Sequence, residues 1–381
     1  MKNDFQKGKV ITLSAGHLFH DIYTAFLAPM LPLLIQKMGL TLSMAGILDV
    51  IRKAPVLVNP FIGLLADRVC VKYLVIFAPG ITAVSMSLLG ASPSYPILFV
   101  LLFTAGISSA VFHVPSPVLI KHFSGKRTGT GMSFFMFGGE MARTLGPLLI
   151  TAALSLWGLE GSYRVMPLGI IASIILFIKL KNISPINTHN SSQNLKGAKE
   201  VLKEVTPIFV SIAGFQIFRA GMKAALTLYL PVYLIGKGES LWIAGISLSV
   251  IQLAGAASTF GVGYISDKIG RKNILLITAI ISPLLMGAFV ISGKLMMIPL
   301  LILMGFFLFA SGPVILALVQ ETETERPVFI NSIYMTISFG ISSLMVLLTG
   351  ILGDRIGLES TFKICAGLAF LSIPFVFNLK K

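Results

Sequence analysis

Gly263-Tyr-Ile-Ser-Asp267-Lys268-Ile-Gly270-Arg271-Lys272 closes one long apolar run and opens the next, and 200 residues earlier Gly63-Leu-Leu-Ala-Asp67-Arg68 stands in the same setting. A glycine lets helices approach closely, and an aspartate at the start of the following helix complements that helix's dipole. The adjacent basic residues can hold helix ends together. Two such segments at one fixed separation, in a chain of 381 residues, read as an internal repeat of two halves.

Working outward from these segments, apolar stretches recur along the whole chain at 10–38, 44–66, 72–91, 95–120, 129–157, 160–180, 206–236, 240–265, 273–292, 295–320, 327–353 and 358–378. Runs of about 20 residues suffice to cross a hydrocarbon core of about 30 Å. In lipid every backbone polar group must be satisfied internally, so these runs are predicted to be helices; barrel strands would show short alternating segments. The composition agrees, with 55% hydrophobic and 12% charged residues and a mean hydropathy of +0.90. Soluble domains average roughly 25% charged. The fold class is therefore an all-α integral membrane protein, with twelve transmembrane helices in two pseudo-symmetric six-helix bundles. The longest polar interval separates residues 1–180 from 206–381. Within this linker, 181–205, the stretch Leu195–Val205 is predicted as a short helix on the inner surface.

The 30 Lys and Arg outnumber the 15 Asp and Glu. A solvated basic face for nucleic acid does not fit this hydropathy, whereas a sidedness signal does. With the N-terminus inside, 19 basic residues fall on inner segments and six on outer ones (Lys37, Arg164, Lys237, Lys294, Arg355 and Lys363). This bias predicts a multi-pass protein of the cytoplasmic membrane with both termini cytoplasmic. The first span is too long and too polar at its centre for a signal-peptide core and is read as retained. Cys70 and Cys365 stand too far apart for a disulfide framework or a metal site, and the sequons at Asn182 and Asn190 fall in an inner loop. No phosphate-binding loop, zinc-protease helix or nucleophile elbow is present, so an enzyme is not expected.

The paired Gly-x-x-x-Asp-Arg/Lys segments resemble the signature of the major facilitator superfamily, and the resemblance extends over all twelve helices. The second copy is intact; in the first, Cys70 replaces the usual second glycine. Gly350-Ile-Leu-Gly-Asp354-Arg355-Ile-Gly357 falls on the outer side and is read as a helix terminus. Within the superfamily the chain resembles the fosmidomycin-resistance group of efflux proteins. The matching residues are Gly16-His17-Leu-Phe-His20-Asp21, Gly106-Ile-Ser-Ser-Ala-Val-Phe112-His113 with Pro115 and Ser116, Gly125-Lys-Arg127-Thr-Gly129, Ser133, Phe135, Gly138-Gly139, Leu145-Gly146-Pro147 and Gln320-Glu321. The resemblance implies proton-driven antiport and a transport cycle whose inner gate uses Gly63, Asp67, Arg68, Gly263, Asp267, Gly270 and Arg271.

Charges at membrane depth are expensive, about 2.5–3.5 kcal/mol each on insertion scales, so each needs a partner or a wet cavity. In the first span His17, His20 and Asp21 share a face. Asp21 is the candidate proton carrier with the imidazoles tuning it; a structural hydrogen-bond cluster is the next reading, and a metal held with His113 is third. Asp49 faces Arg52 and Lys53 at i+3 and i+4, and Glu140 faces Arg143 one turn away. A self-neutralised pair is the bland reading of each; the functional reading of the second is a switch in which protonated Glu140 frees Arg143 for an anion. The resembled group usually carries uncharged residues at 140 and 143. Arg219 and Lys223 share one face of the seventh span, 206–236, which carries no acid anywhere. This surplus of bases suits a carboxylate, phosphate or phosphonate.

The expectation is a monomeric secondary transporter of a small organic anion that exports its substrate in exchange for protons and needs no cofactor or metal. Arg52, Arg143, Arg219, Lys223, His113, Tyr23 and Gln216 are the expected substrate groups, and Asp21, Glu140, His17 and His20 the proton groups. Proton-coupled uptake of an organic anion and a ligand sensor that does not cycle are the rivals. Helix breaks for the cycle are expected at Pro29, Pro32, Pro55, Pro60, Pro115, Pro117, Gly146-Pro147, Pro231 and Gly312-Pro313.

Overall fold

A computed structural model of the chain describes residues 5–59, 72–182, 198–322 and 327–379. Among these residues the chain is helical, with no strand. A helix occupies each of the twelve predicted spans, the second followed as far as Asn59. We number them α1 (Lys7–Met38), α2 (Leu42–Lys53), α3 (Lys72–Ser87), α4 (Tyr95–His113, continued by Ser116–Ser124), α5 (Thr128–Trp157) and α6 (Met166–Leu180). The second set is α7 (Ala198–Ala224, continued to Gly236), α8 (Leu241–Ile269), α9 (Arg271–Ile291) and α10 (Lys294–Phe309, continued by Ser311–Gln320). The segment Pro327–Ala369 is interrupted at Gly357, whose φ of 78° is open to glycine, so α11 is 327–356 and α12 is 358–377. Residues 198–205 form the first turns of α7, not a separate surface helix.

Several expected breaks are present. Pro55 lies in a 3₁₀ turn that follows α2. Pro115 separates the two parts of α4. A π-helical segment, Ala225–Tyr229, precedes Pro231 in α7. Proline removes a donor and crowds the preceding turn, so the ladder loosens at these points. Pro147, by contrast, is accommodated inside α5. Pro60 lies outside the described residues.

The chain divides into two compact units. The first comprises Met1–Leu40, Leu48–Asn190 and Glu239–Ser249, and the second Thr41–Ile47, Ser191–Gly238 and Val250–Lys381. In the first unit α1 is the central helix, packed against α5, α3 and α6. Glycines set the closeness of these crossings. A Cβ on Gly138 would stand 2.4 Å from the Ser14 carbonyl oxygen, and one on Gly146 would stand 2.5 Å from that of Ile22. In the second unit α7 packs against α11 and α12, and α9 against α10. One contact recurs in both units: Gly106 meets the Arg52 carbonyl in the first, and Gly305 meets the Ile251 carbonyl in the second, with the glycines 199 residues apart. Large apolar side chains face outward, with Leu295 90% and Ile291 80% exposed. A lipid-facing surface has that character, and a soluble monomer rarely exposes one so large.

Asp354, read from sequence as a helix terminus, has a specific partner. Its carboxylate accepts hydrogen bonds from the backbone N–H groups of Leu42 (2.7 Å) and Ser43 (2.9 Å), the unsatisfied first turn of α2. A carboxylate there also meets the positive end of the helix dipole.

The glycine contacts make a direct test of packing. Gly138→Ala and Gly106→Ala should each destabilise the folded protein by about 1–3 kcal/mol through overpacking. Gly287→Ala, in α9 with no atom within 4 Å of the added carbon, should be neutral or slightly stabilising. Thermal unfolding in detergent compares the three, and equal behaviour would refute the close-crossing account.

Candidate functional site

The densest polar cluster of the first unit is built by α1, α3, α4 and α5. The i, i+3, i+4 spacing on α1 puts His17, His20 and Asp21 on one face, as expected, and all three are buried. His113, from the end of α4, joins them. Its Nε2 is 3.0 Å from Asp21 Oδ1, while His20 Nδ1 is 2.9 Å from the same oxygen and His17 Nε2 is 3.2 Å from Oδ2. Ring contacts hold the imidazoles in place: His17 stacks on Phe135 and His20 on Phe112. Gly139 makes room for the His17 ring, since a Cβ there would come within 2.5 Å of Cε1. Nitrogens of His17 and His113 and an oxygen of Asp21 lie within 4.8 Å of one another, so the metal reading also finds its atoms close together.

Hydrogen-bond directions in this cluster can be followed to their ends. His17 Nδ1 is 2.7 Å from the Phe135 carbonyl oxygen. A carbonyl only accepts, so Nδ1 carries a hydrogen, and in the neutral ring Nε2 presents a lone pair to Asp21. The Ser108 hydroxyl donates to the Ala78 carbonyl at 2.9 Å, and the Thr82 hydroxyl donates to Ser108 at 2.8 Å. Thr82 can therefore only accept from His20 Nε2, 3.1 Å away. The neutral His20 ring then presents a lone pair from Nδ1 to Asp21 as well. Two of Asp21's three imidazole contacts thus join acceptor to acceptor until a proton occupies each. Only His113 can supply a hydrogen to Asp21 from its neutral ring.

Charged pairs hold the other candidate cations of the first unit, Arg52, Lys53 and Arg143. Arg52 Nη2 donates to Asp49 Oδ1 at 2.7 Å and Lys53 Nζ to Oδ2 at 2.5 Å, so two bases share one buried carboxylate. Arg52 keeps a buried Nε without a partner among the described residues. Arg143 Nη1 donates to Glu140 Oε1 at 2.9 Å; its side chain is 51% exposed, so this pair is not sealed in the core. Tyr23, expected among the substrate groups, has another role. Its buried hydroxyl donates to the Val165 carbonyl at 2.7 Å and accepts from Gly169 N–H at 2.9 Å, tying α1 to the α6 region. Both capacities of the hydroxyl are spent, which leaves none for a ligand.

In the second unit Arg219 is 4% exposed. Its Nη2 donates to Ser282 Oγ on α9 at 3.1 Å, its guanidinium lies 4.9 Å from the centre of the Phe215 ring, and its buried Nη1 has no partner among the described residues. Lys223, one turn on, lies over Phe309 at 5.6 Å. Gln216 accepts from Ser338 at 3.0 Å.

The motif at 263–272 needs one correction. Asp267 belongs to the last turn of α8, not to the start of α9, because the chain breaks after Ile269 at Gly270, whose φ is 93°. Asp267 is thereby placed to pair with Arg271, at 2.6 Å, which also reaches Glu321 at 2.6 Å and the Ser266 hydroxyl. One guanidinium thus joins α8, α9 and the end of α10. The carbonyl of Gly263, the first residue of the motif, accepts from the same Arg271 at 3.4 Å. Gly63, Asp67 and Arg68 of the first copy lie outside the described residues.

Thr82, Ser108 and Ser282 were not singled out in the sequence. Hydroxyl residues are common in such spans, but one signal was present: Thr82 and Ser282 stand 200 residues apart, the spacing of Asp67 and Asp267. The Phe135 carbonyl leaves no trace in the residue type.

Comparison with known proteins accords with this fold. The chain is similar to the fosmidomycin resistance protein of Escherichia coli (strain K12), 26% identical over 378 residues, which covers 96% of this chain and 91% of that one. It is also similar to the multidrug resistance protein MdtG of Salmonella paratyphi C (strain RKS4594), 25% identical over 278 residues, covering 68% and 66% of the two chains. In structure it resembles a bacterial homolog to the human lysosomal transporter Spinster, with a TM-score of 0.79 at 14% identity, covering 99% of this chain and 95% of the other. Residues 13–344 match the Major Facilitator Superfamily, and the chain belongs to that family of membrane transporters.

Proposed function

We propose that this secondary transporter exports small organic anions in exchange for protons, by alternating access and as a monomer. The observation that carries the coupling is the hydrogen-bond accounting at Asp21. Two of its imidazole contacts are complete only when protons are bound, so loading and unloading of Asp21, His17 and His20 changes the cluster between a repulsive and a satisfied arrangement. His17, His20 and His113 are the titratable groups that meet Asp21; α3, packed on the same side, contributes the uncharged Thr82. Glu140 is a second proton group, since its protonation releases Arg143.

An anionic substrate is supported by the balance of the buried pairs. Arg52 and Lys53 share a single acid, and Arg219 is matched by none among the described residues. In the first unit Arg52, Arg143 and His113 are the proposed ligand groups, and in the second Arg219, Lys223 and Gln216. Guanidinium forks suit carboxylate and phosphonate oxygens. Export is supported by the likeness to two resistance proteins. The bias of 19 basic residues to six supports both termini on the cytoplasmic side.

In inside-out proteoliposomes an acid lumen should drive accumulation of a labelled organic anion, and the reversed gradient should not. Uptake indifferent to pH in both directions would sink the coupling. Asp21→Asn removes the carboxylate at constant shape; it should abolish gradient-driven accumulation while anion counterflow persists. Thr82→Val removes the acceptor of His20 Nε2, which lets the ring donate from Nδ1 to Asp21 and dispenses with one bound proton. The variant should accumulate less anion than the wild type at the same gradient, with counterflow retained; unchanged accumulation would return Thr82 to packing alone.

A further inference from the structure

Arg219 is the strongest unexplained feature of the second unit. A fully buried cation normally has an acid or several acceptors around it, because burial of an unpaired charge is costly. Here one nitrogen has a single serine hydroxyl and the other has nothing among the described residues. The Phe215 face offsets part of the charge but accepts no directed hydrogen bond from Nη1. Ser282, which accepts from Arg219, keeps its own hydroxyl hydrogen to donate. The pair therefore presents two donor groups and an uncompensated positive charge.

The internal repeat shows what is missing. Thr82 and Ser282 are 200 residues apart, and His20 and Arg219 are 199 apart, within one residue of the spacing of the conserved glycine contact at Gly106 and Gly305. In both units a cationic or ionisable side chain of the first helix meets a hydroxyl of the third. In the first unit this side chain, His20, also has a carboxylate beside it, Asp21. At the 199-residue offset that relates His20 to Arg219, the position of Asp21 is taken by Ala220. The second unit thus carries no carboxylate of its own at this place, while the cation is permanent.

We propose that Arg219 and Ser282 form a subsite for one oxyanion group, a carboxylate or phosphonate, of an organic acid, which takes the part that Asp21 plays in the first unit. The inference rests on the anion reading above and names where in the second unit the acidic group is held. A guanidinium nitrogen and a hydroxyl can each donate to one of its oxygens, and the Phe215 ring favours an organic body next to the acid over a fully hydrated inorganic ion.

The test is thermal unfolding of the purified full chain in detergent with sodium benzoate, phenylphosphonate, benzylammonium chloride or sodium chloride, none of which requires transport. Benzoate and phenylphosphonate should raise the wild-type midpoint, and the two chloride salts should not. Arg219→Gln and Ser282→Ala should weaken anion binding, the first by more than about tenfold, as loss of a buried charged hydrogen-bond partner does. Arg219→Lys should retain part of the affinity, because the charge remains and the fork is lost. In the absence of anion, Arg219→Met should unfold at a higher temperature than the wild type, since it removes an unmatched buried charge. Wild-type stabilisation that persists undiminished in Arg219→Gln and Ser282→Ala would overturn the subsite and leave the anion reading standing. No stabilisation of the wild type by either organic anion would overturn both, as would an equal response to chloride. A lower midpoint for anion-free Arg219→Met would mark Arg219 as structural and overturn the subsite.

Discussion

The cost of burying charge out of reach of water governs most of what is distinctive in this chain. A polypeptide that must place some 20 apolar residues in each of twelve helices has little capacity to solvate an ion inside them. Most charges within the spans therefore stand beside partners: Asp21 with three imidazoles, Asp49 with Arg52 and Lys53, and the partly exposed Arg143 with Glu140. Arg219 departs from this pattern, because its charge is permanent and no acid meets it among the described residues, and for that reason it speaks most directly about a ligand.

Close helix packing is what brings the matched sets together. α1 can lie against α5 because Gly138, Gly139 and Gly146 have no side chains at the crossing. The same closeness carries the Phe135 carbonyl to His17 and so assigns the tautomer of that ring. A backbone atom of one helix thereby dictates the protonation chemistry of another. The Thr82–Ser108–Ala78 chain does the same for His20 from α3 and α4, and its end at a carbonyl gives it a single direction. At the α8–α9 junction, the positive φ of Gly270 turns the chain so that Arg271 meets Asp267 and Glu321, and one guanidinium joins three helix ends.

The repeat unites these observations. Gly106 and Gly305 make the same approach to a backbone carbonyl in their respective units, and Thr82 and Ser282 receive the side chains of α1 and α7. What differs is the chemistry set on the shared frame. The first unit holds ionisable groups that satisfy one another through protons, and the second holds a fixed cation. A duplicated scaffold can thus carry different charge chemistry at related positions of its two units.

Much of the fold was legible from local pattern. Apolar length and the charged interruptions between runs marked the twelve helices. Pairs within one helix, such as Asp49 with Arg52 and Glu140 with Arg143, followed from a spacing of three or four residues, because a helix turns through one revolution in 3.6. Tyr23 shows the limit of that reasoning, since its polarity suggested a ligand group and its hydroxyl is spent on Val165 and Gly169. Asp267 shows it again, because the helix boundary fell two residues beyond it and reversed the end of the dipole it faces. By itself the sequence determined the helices and which charges lie within them, both properties of neighbours along the chain. Only the tertiary structure decided that His113 and Thr82 close on the α1 cluster and that Arg219 meets Ser282. Those meetings depend on how each helix is rotated about its axis and how closely glycines let it approach, which contacts more than 60 residues apart in sequence do not reveal.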